Sequence, residues 1–120
     1  MTGAPQTATQ VAQHLLALAR DHDRLTTELS RLDEAAVRAR ARYEVTFARA
    51  FLEGEGAVDS RKHAARLAVE SEWLDTEIAD QRVRSCREQL RSIGTRIEVG
   101  RSFGSAIKAE VSLAQSGVTP

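Results

Sequence analysis

The sequence predicts an all-α protein, a long antiparallel two-helix hairpin of coiled-coil type that dimerises, and three observations carry that expectation. Proline is absent between Pro5 and Pro120, so nothing obliges a helix to stop in between. A heptad-spaced stripe occupies the first half of the chain. The segment Gly54-Glu55-Gly56-Ala57-Val58-Asp59-Ser60 then offers two glycines and two N-cap residues, which read as a helix stop, a short loop and a restart.

The first arm begins at a capping box. Thr7 and Gln10 stand three apart, so each side chain can satisfy an orphan amide near the other. From there Val11, Leu15, Leu18, His22, Leu25, Leu29, Leu32, Ala36, Ala39, Tyr43, Thr46 and Ala50 recur at alternating steps of four and three. Such a narrow stripe belongs against one partner helix. The expected organisation is a tail over 1–6, helix one over 7–53, a loop over 54–59, helix two over 60–115 and a second tail over 116–120.

In helix two the stripe reads Leu67, Ser71, Leu74, Ile78, then slips by one residue. It resumes as Ala79, Val83, Cys86, Leu90, Ile93, Ile97, Gly100, Gly104, Ile107 and Val111. The slip predicts a stutter near Ile78. Folding the arms about the loop sets Ala39 near Leu74, Leu29 near Val83 and Val11 near Ser102. Charge blocks fit that register: Arg38, Arg40 and Arg42 fall opposite Glu70, Glu72 and Asp75, and Arg82, Arg84, Arg87 and Arg91 opposite Asp21, Asp23 and Glu28.

Composition bounds the function. The 120 residues suit one domain, and with 4% aromatic content a large ring-filled core is excluded in favour of helices built on Ala, Leu, Glu and Arg. The formal charge of zero removes any whole-molecule attraction to nucleic acid or anionic lipid. The preference for arginine over Lys62 and Lys108 reflects codon usage in a high-GC genome and is no evidence of phosphate binding. One cysteine, Cys86, allows no internal disulfide, and Met1 to Gln10 has neither a basic nor an apolar export region, so a cytoplasmic setting is expected. No apolar run approaches a membrane span.

No catalytic, cofactor or metal site is expected, nor a small-molecule substrate. Asp21-His22-Asp23 places its side chains about 100° apart, so they do not converge, and His14 brings no ligand spacing such as HExxH. His22 reads as a polar seam residue that sets register, and Cys86 as a small seam residue without a histidine opposite. Gly94, Gly100 and Gly104 each weaken a helix interior by about 1 kcal/mol relative to alanine, so they call for close helix packing or a bend. Close packing against Val11 and its neighbours is expected at Gly100 and Gly104.

Two binding surfaces remain. Leu16, Val37, Val45, Phe51 and Leu52 on the first arm, with Val69 and Trp73 on the second, lie beside the stripe. Of these, Val45, Phe51, Leu52 and Trp73 are the candidate contacts for a second copy or a helical protein partner. The alternative is DNA, through Arg82, Arg84, Arg87 and Arg91 in a basic run that continues to Arg96 and Arg101. Against it, the run is spread around the helix and has no interleaved aromatic to stack a base.

The span from Tyr43 to Glu110 resembles small helical proteins that tailed bacteriophages encode near their recombination and replication genes. The likeness lies in Tyr43 with Phe47-Ala48-Arg49-Ala50-Phe51-Leu52, in Gly54-Glu55-Gly56, in Arg61-Lys62-His63-Ala64-Ala65, and in Leu90-Arg91-Ser92-Ile93 followed by Arg101-Ser102. It implies the shape, a helical hairpin, and a phage origin, and no activity; the expected function is a non-enzymatic interaction or accessory protein in the bacterial host cytoplasm, with an accessory DNA binder in recombination or replication as the alternative. It carries over no functional residue, and the three late glycines depart from the uniformly charged helix ends expected of such proteins.

Overall fold

The computed structural model describes residues 7–117, all helix, turn or short loop, so the tail expected over 1–6 and the last residues of the second tail lie outside the described residues. Three helices follow one another: α1 (Ala8–Glu53), α2 (Val58–Ala68) and α3 (Glu70–Gln115). The chain divides into two compact units. One takes its described residues from Met1–Thr26 and Glu88–Pro120, the other is Thr27–Arg87.

In the first unit the start of α1 packs on the later part of α3. The capping box forms as expected: the Thr7 amide donates to Gln10 Oε1 and the Gln10 amide donates to Thr7 Oγ1, both at 3.1 Å. Val11, Leu18 and Leu25 are buried, with Leu15 and His22 half-buried between them. Facing them, Cβ atoms added at Gly100 and Gly104 would stand 2.7 Å from Leu15 Cδ2 and 3.2 Å from Val11 Cγ1. The two glycines therefore let the helices approach closely, as the sequence indicates. Gly94 differs: a Cβ there meets nothing within 4 Å, and α3 continues through it without a break.

The second unit is a helical hairpin. Leu32 and Ala39 continue the buried line of α1, seven residues apart, with Leu29, Ala36, Tyr43, Thr46 and Ala50 half-buried. Here the seam of the returning arm departs from expectation. Leu67, Ser71, Leu74 and Ile78 are exposed; the residues turned inward are Ala65, Val69, Glu72, Thr76 and Ala79. With these included, the steps of four and three run without interruption from Ala65 to Ile107, so there is no stutter near Ile78. Val111 is exposed and stands outside the seam.

The buried Thr76 explains why the pattern is hard to read. Its hydroxyl donates to the Glu72 carbonyl (3.1 Å) and lies 3.4 Å from the Ala39 carbonyl, so a polar group enters the seam at little cost. Ala39 thus faces Thr76 rather than Leu74. Pairs in the first unit show the same offset of two residues, Gly100 with Leu15 and Gly104 with Val11. The shift places the centre of the reversal one residue later than expected, since moving the centre of a bend by one residue moves the pairing by two.

The reversal has its own chemistry. Gly56 adopts φ +96°, a conformation that L side chains rarely take. Ala57, not Asp59 or Ser60, occupies the N-cap of α2, without a side-chain cap bond. The last turn of α1 holds no basic residue; Arg61 supplies the charge instead. Its Nε and Nη2 donate to the Phe51 carbonyl at 3.2 and 2.8 Å, and its guanidinium sits 4.4 Å from the centroid of the Phe51 ring. That arrangement reinforces a carbonyl that otherwise accepts only from the Gly54 amide, at 3.3 Å, and offsets the negative end of the helix.

The second arm is two helices in place of the single helix expected over 60–115. Val69, with φ −113° and ψ 25°, leaves helical geometry for one residue, although its amide still donates to the Ala65 carbonyl and its carbonyl accepts from the Trp73 amide. No proline or glycine stands there. The Val69 side chain is 1% exposed, so the interruption falls at a core position.

Candidate interaction surface

Val69 is therefore core, not part of a spare stripe. Phe51 is also committed inside the second unit: it is half-buried, its ring stacks on Phe47 at 6.5 Å, and Arg61 covers it. Of the candidate contacts, Val45 (51% exposed), Leu52 (74%) and Trp73 (49%) remain open to solvent. Trp73 lines a dent of about 340 Å³ with Tyr43, Arg66 and Glu70. Leu16, exposed, belongs to the first unit.

The exposed apolar residues of the second unit are ordered. On α1, Val37, Ala41, Val45, Ala48 and Leu52 follow steps of four, four, three and four, so they share one face, about 180° from the seam. On the returning arm Leu67, Leu74 and Ile78 occupy the face about 150° from its seam. The residues that the sequence pattern assigned to the hairpin interior thus form a second outward stripe. The heptad is plain in the sequence, and it faces outward because Glu72 and Thr76 take the inner positions.

Charges on this unit are arranged differently from the expected blocks. Arg40 reaches Asp80 (2.9 Å) and Arg87 reaches Asp33 (3.6 Å) across the hairpin. Arg38 turns to Glu34 of its own helix, and Arg31 to Glu28, which through its hydrogen bond and charge raises the arginine's pKa above the ordinary value. Apart from Asp80, 30% exposed, these side chains are open to solvent, so the pairs stabilise the fold little. Among the described residues Arg42, Arg49, Glu70, Asp75 and Glu77 enter no ion pair.

The basic run does not gather into one surface. Arg84 donates to Gln81 (2.9 Å) and Arg87 is held by Asp33, while Arg82 projects from a different face of α3. Arg91 lies in the first unit, paired with Glu88 at 2.6 Å, and Arg101 there stands 3.6 Å from Glu98. An open groove of about 670 Å³ on the second unit is lined by Arg40, Arg84 and Arg87, but Asp33, Glu44 and Asp80 line it too, so it carries no excess positive charge.

In the first unit Val11, His14, Arg96, Val99, Gly100 and Phe103 line an apolar hollow of about 270 Å³. His22 is half-buried in the seam and Cys86 is buried, as expected of seam residues. Among the described residues no group of three His, Cys, Asp or Glu side chains converges to hold a metal ion, and no helix is long and apolar enough to cross a membrane. Compared with known proteins, the chain matches no family model, no curated protein and no solved structure.

Proposed function

We propose that this chain is a non-enzymatic interaction protein that works by burying the outward apolar faces of its helical hairpin against another helix. One observation carries the reading: Val37, Val45 and Leu52 on α1, and Leu67, Leu74 and Ile78 on the returning arm, repeat at helix-packing spacing while facing water. Single exposed apolar residues are ordinary, whereas ordered stripes of them mark contact surfaces. The phage origin and the cytoplasmic setting are part of this proposal and rest on the resemblance of Tyr43 to Glu110 and on the lone cysteine.

The test is site-specific photocrosslinking in cells that make the protein. A benzoylphenylalanine in place of Leu52 or Leu74 should give discrete adducts, and one in place of Glu98, on a charged surface, should give none. If neither apolar position gives an adduct above that control, the stripes bind nothing and the reading fails. Accessory DNA binding through Arg82, Arg84, Arg87 and Arg91 is the alternative. The carboxylates that share the groove with Arg84 and Arg87, and the Glu88 that holds Arg91, weigh against it.

A further inference from the structure

We infer that the occupant of these stripes is a second copy of the chain, docked head to tail, with the α1 stripe of one copy on the Leu67–Leu74–Ile78 stripe of the next. This rests on the interaction reading above and names its partner. The argument is charge complementarity. Residues 70–80 hold Glu70, Glu72, Asp75, Glu77 and Asp80 and no Lys or Arg, whereas residues 38–49 hold Arg38, Arg40, Arg42 and Arg49 against the single Glu44. Within the fold Arg40 and Asp80 answer each other, but Arg42, Arg49, Glu70, Asp75 and Glu77 are left without ion pairs among the described residues.

Helical geometry decides how these charges flank the apolar residues. Arg38, Arg42 and Arg49 form one edge of the α1 stripe, about 75° round from its centre, and Glu70 and Glu77 form the opposite-handed edge of the α3 stripe. When two helices pack in the same direction, such edges meet. Antiparallel pairing of α1 stripes would set the arginine edge against itself, and antiparallel pairing of α3 stripes would oppose the acids. Parallel α1 pairing would offer those arginines Glu44 alone as a free acid, beside Arg40 and an Asp33 that Arg87 already holds at 3.6 Å, whereas the returning arm offers both Glu70 and Glu77. Both stripes lie in the second unit, so each copy has one face of each kind, and the contact is heterologous, able to extend from copy to copy.

Sedimentation velocity of the full chain, with variants and their mixtures, tests this. Val45→Asp with Leu52→Asp removes one face; Leu74→Asp with Ile78→Asp removes the other. Wild type should associate beyond a dimer as concentration rises, and each double variant alone should remain monomeric with unchanged helicity by circular dichroism. Their mixture should form a 1:1 complex through the one intact pair of faces. Reversing charge in place of removing apolar surface, Arg42→Glu with Arg49→Glu should weaken wild-type association about tenfold, and mixing with Glu70→Arg, Glu77→Arg chains should restore it. Dimers formed by either double variant alone, or no complex on mixing, overturn the head-to-tail assignment. A wild type that stays monomeric overturns it as well, yet leaves the interaction reading standing if Leu52 and Leu74 still crosslink to another protein.

Discussion

Replacing Gly94, Gly100 and Gly104 with alanine one at a time separates what the helix gains from what the neighbouring helix has to give up. A methyl group at Gly94 meets nothing within 4 Å, so Gly94→Ala should stabilise the fold by about 0.5–1 kcal/mol, the usual advantage of alanine inside a helix. At Gly104 the added carbon would lie 3.2 Å from Val11 Cγ1, tight enough to cancel part of that gain. At Gly100 it would stand 2.7 Å from Leu15 Cδ2, so the end of the leucine side chain has to shift. Leu15 is half-buried and flexible at that end, and a displaced seam leucine costs about 1 kcal/mol or slightly more, which brings Gly100→Ala to neutral or below. Urea unfolding in dilute solution reads the order: the midpoint for Gly94→Ala should rise by about 0.5 M, with Gly104→Ala between it and Gly100→Ala and the slope unchanged. An equal rise for all three would show that α1 does not approach α3 at Gly100, and a fall for Gly94→Ala would show an unseen contact there.

Other substitutions test the ends of the helices and the surface. Arg61→Ala should lower stability by about 1–2 kcal/mol in urea unfolding, because it removes two hydrogen bonds to the Phe51 carbonyl and a contact with its ring; Arg61→Lys should recover less than half, lacking the planar fork. Thr7→Ala should cost about 1 kcal/mol and speed amide exchange selectively in the first turn of α1. Titration with single- and double-stranded DNA at about 50 mM salt should give no saturable complex, and a tight complex there that weakens steeply with salt would revive the DNA reading.

The first arm was legible almost residue by residue, because its seam is built mostly of Val, Leu and Ala at heptad spacing and each lands where the pattern puts it. The Thr7 capping box and the close approach at Gly100 and Gly104 were legible for the same reason: each has a local chemical cause. The second arm was not, and the reason is specific. Glu72 and Thr76 hold seam positions that apolar periodicity passes over, whereas Leu67, Leu74 and Ile78 supply a heptad of their own on the outer face. A reader following hydrophobicity takes the outer line, invents a slip to rejoin the true seam at Ala79, and places the reversal one residue early.

The same confusion shaped the candidate surface. Val69 looked peripheral because it lies off the false line, and it is the most enclosed large side chain of the unit. Phe51 looked available because nothing in sequence announces that Arg61, ten residues on, covers its ring and its carbonyl. Val45, Leu52 and Trp73 are exposed, as a contact surface requires, while Leu67, Leu74 and Ile78 stand outside where periodicity puts them inside.

That division between inner and outer line is what the functional reading stands on, and comparing Leu74→Asp with Val69→Asp tests it most directly. In dilute solution Leu74→Asp should keep its helicity and unfold within about 0.5 kcal/mol of wild type, since its side chain is 50% exposed. Val69→Asp, at a site 1% exposed, should lose about 3 kcal/mol or more by burying an unpaired carboxylate. The reverse order of stability, with Leu74→Asp unfolded and Val69→Asp intact, would return Leu74 to the hairpin interior and remove the outward stripe altogether.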